Sequence, residues 1–160
     1  MQPSPPVVRP YAEADWPHIC RIHDAARLDE LRDSAGVEAF LTLEQTAEGE
    51  GLFDGALWVA TVDGEVAGFA AFDDGELTWL YVDPARYRQG VGRVLLRHAL
   101  AEAGGDRVET TVLDGNPAAL ALYLAEGFTV VEVREGTLSG NEAFAATGHI
   151  MEWRRAGSAR

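Results

Sequence analysis

The sequence predicts a mixed α/β domain of the α+β class, in which a mostly antiparallel, twisted sheet of about six to seven strands carries helices on both faces. Three short strand patterns follow one another between residues 56 and 82. The hydrophobic period then changes to that of a helix at Val91. A strand, a short helix and two further strands complete the order, so helices precede and follow a β-meander and are expected to cover both faces of one sheet.

Composition favours one compact domain, which we expect to occupy residues 1–160 with its folded part from about residue 7 to 154. Hydrophobic residues make up 47% of the chain, and the net charge is −13. This acidity argues against nonspecific nucleic-acid binding. It fits either solubility alone or the attraction of a cationic substrate, so it biases the choice of substrate without deciding it. One cysteine, no metal-ligand spacing among the four histidines and no apolar run long enough for a membrane span favour a metal-free cytoplasmic protein. The N-terminal segment does not resemble a signal peptide.

The first half of the chain predicts a short strand, two helices and the meander. Asp15 is expected to cap a helix opened by Trp16 and Pro17, with a buried stripe of Ile19, Ile22, His23 and Ala26. A weaker helix is expected over 37–48. The strands at 56–62 and 65–72 meet at Asp63-Gly64, a dipeptide suited to a tight hairpin turn, and Asp83-Pro84 stops the third strand.

The second half predicts a helix from Val91 to Ala103, a strand at 107–113 and a sharply delimited short helix. Asn116 is its N-cap, Pro117 its first helical residue and Gly127 its C-terminal stop. The last two strands are expected at 129–135 and 149–155, separated by a long loop.

The segment Arg88-Gln89-Gly90-Val91-Gly92-Arg93 leads directly into a helix. A helix start presents unpaired N–H groups and a dipole that favours an anion. From spacing alone the segment fits either a diphosphate site, assisted by Arg88 and Arg93, or a glycine turn that merely enters a helix. A Walker A loop requires Gly-Lys-Ser/Thr, and a dinucleotide fingerprint requires a third glycine where Leu95 stands, so both are excluded.

Two motifs give a more specific indication. The stretch LYVDPARYRQGVGRVLLRHAL resembles the acetyl-CoA pyrophosphate loop of the Gcn5-related N-acetyltransferase (GNAT) superfamily. The stretch NPAALALYLAEGF resembles a helix of the same family at Asn116, Ala119, Tyr123, Gly127 and Phe128. The resemblance covers about Val7 to Arg154 in the order of its elements, and its Gln/Arg loop position falls on Tyr87 here.

The resemblance implies acetyl transfer from acetyl-CoA to a primary amine of a small molecule or peptide, by direct attack in a ternary complex. By this resemblance Tyr123 is the general acid for the departing thiolate, and Glu76 is the candidate base. A phenol of pKa about 10 is a weaker acid than a thiol of pKa about 8.5, so we expect Tyr123 to stabilise the sulfur by a hydrogen bond. The implied cofactor-binding residues comprise the backbone near one strand, the loop and the short helix: Leu80, Tyr81, Val82, Tyr87, Arg88, Gln89, Gly90, Val91, Gly92, Arg93, Asn116, Ala119 and Tyr123. The acceptor-pocket candidates come from the first helix, the central strand and the last loop: Asp29, Glu30, Asp33, Trp79, Tyr81, Glu142 and Phe144.

Other functions stay open at this point. A noncatalytic acyl-CoA-binding module on the same scaffold is one alternative, and transfer of a longer acyl group is another. Thr111 stands where some relatives that acetylate protein N-termini carry a glutamate, which argues against a ribosomal-protein acceptor. Fold analogy also allows a homodimer through the C-terminal strands.

Overall fold

The structure, a computed structural model, describes residues 4–157, so the predicted domain limits at 1 and 160 lie outside the described residues. Within residues 4–157 the chain forms seven strands and four α-helices. Strands β1 to β7 span Val7–Pro10, Ala56–Val62, Glu65–Asp73, Glu76–Val82, Arg107–Leu113, Thr129–Leu138 and Asn141–Arg154. Helices α1 to α4 span Trp16–Arg32, Leu43–Thr46, Val91–Glu102 and Pro117–Ala125.

One sheet holds all seven strands in the order β1-β2-β3-β4-β5-β7-β6. Every neighbouring pair is antiparallel except β4 and β5, which are parallel. The predicted fold class is therefore confirmed. Two-residue turns join β2 to β3 and β3 to β4, and Asp63, Gly64, Asp74 and Gly75 all have positive φ angles, of 51°, 83°, 47° and 82°. Such angles characterise the tight turns whose twist matches paired strands.

The core has two main parts, one on each face of the sheet. On one face α3 and α4 cover the sheet through fully buried Leu95 and Leu96 and through Phe128 just beyond α4. On the other face α1 and α2 pack through Ile19, Ile22 and Leu43. The buried stripe predicted for α1 is confirmed, because its four members are at most 6% exposed. No helix among residues 4–157 combines the length and hydropathy that a membrane span requires.

Asp15 stands at the predicted start of α1, but its side chain does not cap the helix. A 3-10 turn over Glu13–Asp15 runs directly into α1, so the backbone of Asp15 is already helical. The carboxylate instead accepts two hydrogen bonds from the Arg9 guanidinium, of 2.7 and 2.8 Å, and one of 2.8 Å from the amide of Ala12. The capping prediction was wrong, and Asp15 ties α1 to β1.

Two predicted boundaries are also corrected. The helix expected over 37–48 is reduced to a 3-10 turn at Val37–Ala39 and to α2, whose start is capped by the Thr42 hydroxyl accepting from the amide of Gln45. The long loop expected between the last two strands is absent from the described chain, because β6 and β7 continue into a hairpin that turns at Ser139-Gly140. Leu138 anchors this hairpin by burying against Leu31 of α1.

Candidate active site

A cleft opens between β4 and β5, in the middle of the sheet. These strands share a single residue pair, Glu76 with Glu109. The Thr110 hydroxyl also donates to the carbonyl of Leu77 at 2.9 Å, and past this point the strands separate. On its other side β5 pairs with β7 along all seven of its residues. The sheet is therefore continuous on both sides of a gap that leaves backbone groups of β4 without a strand partner.

The backbone of β4 determines which groups face this cleft. A bulge at Thr78 shifts the register, since Ala71 pairs with Trp79 and Phe72 with Leu77. Beyond the bulge, the Asp83 amide donates to the Ala67 carbonyl of β3 at 2.8 Å. Residues of an antiparallel ladder alternate in the direction of their hydrogen bonds.

Counting back from Asp83, the backbone of Tyr81 is directed to β3, and that of Leu80 and Val82 to the cleft. All three residues were expected to contribute backbone contacts to the cofactor. For Tyr81 this expectation is corrected, because its backbone N–H and C=O are directed to β3. The side chain of Tyr81 lies on the α1 face.

The start of α3 lies beside this cleft and carries unpaired amides. The Asp83 carboxylate accepts from the Ala85 amide at 3.0 Å and shapes the turn that leads into the loop. Gly90, with φ of 83°, precedes the first helical residue, Val91. The first bond of the helix runs from the Val94 amide to the Gly90 carbonyl at 3.1 Å. The amides of residues 91–93 therefore have no acceptor within the described chain, and the helix dipole makes them a favourable place for an anion.

The two glycines of this loop serve different structural purposes. A Cβ on Gly90 meets no atom within 4 Å, so only its left-handed backbone requires glycine. A Cβ on Gly92 lies 3.3 Å from a methyl carbon of Leu122 and 3.5 Å from one of Val82. Gly90 shapes the entry to the helix, and Gly92 allows α3 to pack closely on α4 and β4.

The basic side chains of the loop are not equivalent. Glu126, at the end of α4, forms ion pairs with Arg93 at 3.2 Å and with Arg97 at 2.5 Å. The hydrogen bond from Arg97 is the main reason that the pKa of Glu126 lies below its ordinary value. Arg86 is paired with Glu65 at 2.7 Å. Arg93 was expected to add charge to the anion site, but its guanidinium is already in contact with Glu126, a carboxylate that it shares with Arg97. Arg88 has no ion pair among residues 4–157 and is the arginine available there.

Tyr87 links this loop to α1. Its hydroxyl donates to a carboxylate oxygen of Asp29 at 3.3 Å. Partial burial, followed by the nearby charge of Asp29, raises the pKa of Tyr87 to about 12. Tyr87 therefore stays protonated at neutral pH.

Helix α4 supplies the third wall. The Asn116 side chain accepts from the amide of Ala119 at 3.3 Å, which confirms the predicted cap. Tyr123 is 5% exposed and packs edge-on against Phe128, with ring centroids 5.2 Å apart. Burial raises the pKa of Tyr123 above its ordinary value. The phenol is thus a protonated hydrogen-bonding group beside β5.

A cavity of about 610 Å³ lies on the opposite, α1 face and reaches β4 and β5 at the cleft. Its walls come from α1, β4, β5 and the β6–β7 hairpin. Of the predicted acceptor-pocket residues, Glu30, Trp79 and Tyr81 line it. Asp29, Asp33, Glu142 and Phe144 are not among its lining residues. Phe144 instead packs with the Leu31 cluster under the hairpin.

The polar floor of this cavity is a connected group on α1 and β4. The Tyr81 hydroxyl donates to the Glu30 carboxylate at 2.9 Å, and the Arg27 guanidinium donates to the same oxygen at 2.5 Å. Burial, and next the charge of Glu30, raise the pKa of Tyr81 far above its ordinary value. Glu76 lies at the exposed edge of the cavity. Partial burial, together with the charges of Glu109 and Asp73, raises the pKa of its carboxyl.

Sequence reasoning missed Arg27 and the neighbouring His23 as cavity residues. Both line the cavity, and His23 is only 3% exposed. The sequence signal was present in the helix period, because Glu30 lies seven residues after His23 and therefore shares its face. Cys20 on the same helix packs with the apolar cluster, and burial raises the pKa of its thiol to about 11, which disfavours a nucleophilic thiolate.

Comparisons with known proteins agree with this geometry. Residues 53–130 match the family model of the acetyltransferase (GNAT) domain. The chain is 39% identical over 132 residues to a mycothiol acetyltransferase of Clavibacter michiganensis subsp. michiganensis. The aligned region covers 79% of this chain and 38% of that protein. It is 37% identical over 92 residues to the ribosomal protein bS18 alanine N-acetyltransferase of Escherichia coli, covering 51% and 62% respectively. The fold matches Salmonella typhimurium yncA, solved with its cofactor acetyl-CoA, with a TM-score of 0.72 and 22% identity over 98% of both chains.

The separation of β4 from β5 and these matches identify the fold as that of an acetyltransferase. Residues 53–130, which contain both motifs, match the acetyltransferase (GNAT) domain, so the resemblance of the two motifs to the Gcn5-related N-acetyltransferase superfamily is confirmed. The chain spans 38% and 62% of the length of the two relatives named.

Proposed function

We propose that this protein is an acetyl-CoA-dependent N-acetyltransferase that acts on a primary amine of a small molecule or peptide by direct attack. The observation that carries the proposal is the cleft between β4 and β5. It joins an amide-lined helix start on one face to a cavity of about 610 Å³ on the other. A donor bound from one side and an acceptor bound from the other meet there. The relatives that are named acetyltransferases and the acetyl-CoA of yncA support this choice of donor.

The described residues fit a CoA thioester in two places. The three free amides at the start of α3, with Arg88 beside them, suit its diphosphate. The cleft-facing backbone groups of Leu80 and Val82 suit the amides of its pantetheine arm, which would add hydrogen bonds like those of a neighbouring strand. Gly90 provides the left-handed turn that leads into the helix start, and the small side chain of Ala119 leaves room on the facing side of α4.

Tyr123 is proposed as the hydrogen-bond donor to the sulfur that leaves the acetyl group. An ordinary thiol has a pKa of about 8.5 and an ordinary phenol of about 10. Because burial raises the pKa of Tyr123 further, full proton transfer to a thiolate is uphill. Donation of a hydrogen bond, which stabilises the developing negative charge, is the role that fits.

The acceptor cavity contains more carboxylates than free cations. Glu30, Glu50 and Glu76 line it. The charges of Glu30 and Arg27 offset each other, and Glu132 offsets the charge of Arg134 at 2.7 Å, so Glu50 and Glu76 are the lining carboxylates without an ion pair within residues 4–157. With the net charge of −13, this favours a cationic amine as the acceptor. Glu76 is proposed as a proton acceptor at the cavity edge, since its raised pKa makes it a stronger base than an ordinary carboxylate.

The experiment is a panel of mono- and diamines and amine-terminated peptides mixed with acetyl-CoA, with the free thiol measured over time. Turnover with at least one amine is expected. Parallel assays with propionyl-CoA and succinyl-CoA in place of acetyl-CoA measure which acyl group is transferred fastest. Arg88→Gln should raise KM for acetyl-CoA about tenfold, the loss of one charge-assisted hydrogen bond. Arg97→Gln, which removes an arginine held by Glu126, is the matched control and should leave KM unchanged. Tight CoA binding without turnover on any amine would refute catalysis and favour an acyl-CoA-binding module.

A further inference from the structure

His23 is a buried polar side chain of the acceptor cavity, and the function proposed above does not use it. Asp15, His23 and Thr110 are the polar residues buried within residues 4–157. Asp15 is satisfied by Arg9, and Thr110 by the carbonyl of Leu77. His23 differs from both because only one of its two ring nitrogens has a partner.

Asp24 fixes the orientation and the tautomer of the His23 ring. Its Oδ1 atom lies 3.0 Å from His23 Nδ1 and also accepts from the backbone amide of Leu43 at 2.9 Å. An oxygen that accepts from a backbone amide and from an imidazole requires a proton on Nδ1. The lone pair of the neutral ring is therefore on Nε2. Edge contacts with Tyr81 and Trp79, at centroid distances of 4.9 and 5.8 Å, hold the ring on its other sides.

The Nε2 atom has no hydrogen-bond partner among residues 4–157. His23 lines the cavity, so an acceptor nitrogen or one bridging water bound there is the expected partner of Nε2. An aspartate that holds one nitrogen of an imidazole, while the other nitrogen faces the reacting group, is the arrangement by which enzymes make histidine a base.

Burial keeps His23 neutral, and the neighbouring carboxylates stabilise the proton once it is taken. Burial is the largest effect and lowers the pKa of His23 below its ordinary value. Arg27 acts in the same direction, whereas Asp24 and Glu30 oppose it. From β4 the facing titratable group is Tyr81, which remains protonated. Neutral imidazole therefore predominates at pH 7, and the resulting imidazolium lies beside Asp24.

We propose that His23, oriented by Asp24, accepts the proton that the acceptor nitrogen loses as it attacks the acetyl carbon. The inference rests on the proposed N-acetyltransferase function and assigns a catalytic residue to it. The amine first loses one proton to water and attacks as a neutral group. As the new N–C bond forms, the acidity of the nitrogen rises, an N–H bond breaks and His23 Nε2 takes that proton. The C–S bond then breaks, and the sulfur leaves as a thiolate that accepts a hydrogen bond.

The reaction balances without an added reactant. The thiolate takes up one proton, and His23 returns its own proton to solvent. One acetyl thioester and one ammonium thus give one amide, one free thiol and one proton. His23 is shielded, whereas Glu76 is exposed beside the charges of Glu109 and Asp73, so His23 carries the larger share of this proton transfer.

The test is the variant His23→Asn. The asparagine amide can still donate to Asp24 but has no group that replaces Nε2. The matched control is His18→Asn, which changes an exposed histidine on the same helix. The assay follows thiol release from acetyl-CoA with an amine of pKa above about 9, between pH 5 and 8. We expect His23→Asn to lower kcat by about a hundredfold or more, the usual effect of a general base, and Glu76→Gln to lower it less. CoA affinity, measured by calorimetry, should change less than about twofold.

The pH profile separates catalysis from a packing role. In a plot of the logarithm of the wild-type rate against pH, the slope should be one above the pKa of His23, where only the amine still loses a proton. Below that pKa the slope should be two, because His23 must lose a proton as well. In His23→Asn the slope should stay at one throughout, because only the amine still titrates. A His23→Asn enzyme with wild-type rate, or with reduced rate but the steep limb retained, would overturn the assignment of His23 alone. A wild-type enzyme that turns over no amine would overturn the proposed function as well.

A second measurement covers the case in which His23→Asn does not fold. Nitrogen NMR of the wild-type imidazoles should show His23 protonated on Nδ1 and unprotonated on Nε2 at pH 7.5. Protonation of Nε2 in the neutral ring would contradict the role as base.

Discussion

Gly90 offers a test of the anion site that separates backbone conformation from side-chain contacts. It precedes α3 with φ of 83°, and a Cβ placed on it meets no atom within 4 Å. Gly90→Ala therefore adds no clash and removes no hydrogen-bonding group. Its only direct effect is to require an alanine in the left-handed region.

The magnitude follows from two opposing terms. A left-handed conformation costs an ordinary L-residue about 1–2 kcal/mol. Replacing glycine also reduces the freedom of the unfolded chain, which returns about 0.4–1 kcal/mol of stability. The net penalty is therefore about 1 kcal/mol.

This penalty appears either in folding or in binding. If the loop keeps its left-handed turn without ligand, the free energy of unfolding falls by about 1 kcal/mol, or about 2–4 °C in Tm for a domain of this size. If the loop relaxes in the free protein, the turn must be restored when CoA binds, and Kd rises about fivefold instead. The loss in the free energy of unfolding and the loss in the free energy of CoA binding should therefore add up to about 1 kcal/mol, however the penalty is divided between them.

The assay is urea denaturation together with calorimetric titration of CoA for the wild type, Gly90→Ala and Gly90→Asn. Asparagine tolerates the left-handed region and should recover part of the loss. Gly104→Ala is the matched control, since a Cβ there also meets no atom within 4 Å and the backbone is not left-handed. We expect that variant to leave CoA affinity unchanged and not to lower the free energy of unfolding. Unchanged stability and affinity in Gly90→Ala would refute the reasoning.

Three further outcomes are expected. Tyr123→Phe should lower kcat about tenfold, the value of one hydrogen bond to sulfur, with CoA affinity retained in calorimetry. Asn116→Ala should cost about 1 kcal/mol through the lost cap, visible as a lower Tm, and an unchanged Tm would contradict the capping bond. The Arg9 hydrogen bonds lower the folded-state pKa of Asp15, so its contribution to stability is complete above the unfolded-state pKa and is lost as pH falls through the folded-state value. Unfolding measured from pH 6 to 2 should thus show a steeper acid loss in wild type than in Asp15→Asn.

The sequence predicted most accurately those elements whose ends are marked by local chemistry. The short helix α4 begins at Asn116-Pro117 and stops before Gly127 because each of these residues has a strong conformational preference of its own. The Asp63-Gly64 turn was predictable for the same reason. Each of the two family motifs is likewise a continuous stretch of sequence, so the positions of the cleft and of the start of α3 were predictable from sequence alone.

Elements determined by distant contacts were not predictable from local sequence. Residues 139–148 contain several small and polar residues, which favoured a loop. They form a hairpin because Leu138 finds a buried position against α1 and because β7 has β5 and β6 on either side.

The pairing of Arg93 with Glu126 and the direction of the Tyr81 backbone also depend on neighbours outside their own segments. His23 was correctly predicted to be buried. Its contact with the α2 segment through Asp24 became visible only in three dimensions.

The position of β7 in the sheet has a consequence for the growing chain. β5 carries Thr110 on the far wall of the cleft, yet it shares only one residue pair with β4 and seven with β7. β7 follows all the other described strands along the chain, yet it fits between β5 and β6 and buries Met151 completely. A nascent chain that has emerged through residue 130 contains the whole segment that matches the family model, but lacks the strand that holds β5 in place. The proposed donor cleft therefore cannot be completed during synthesis until residues 141–154 have also emerged.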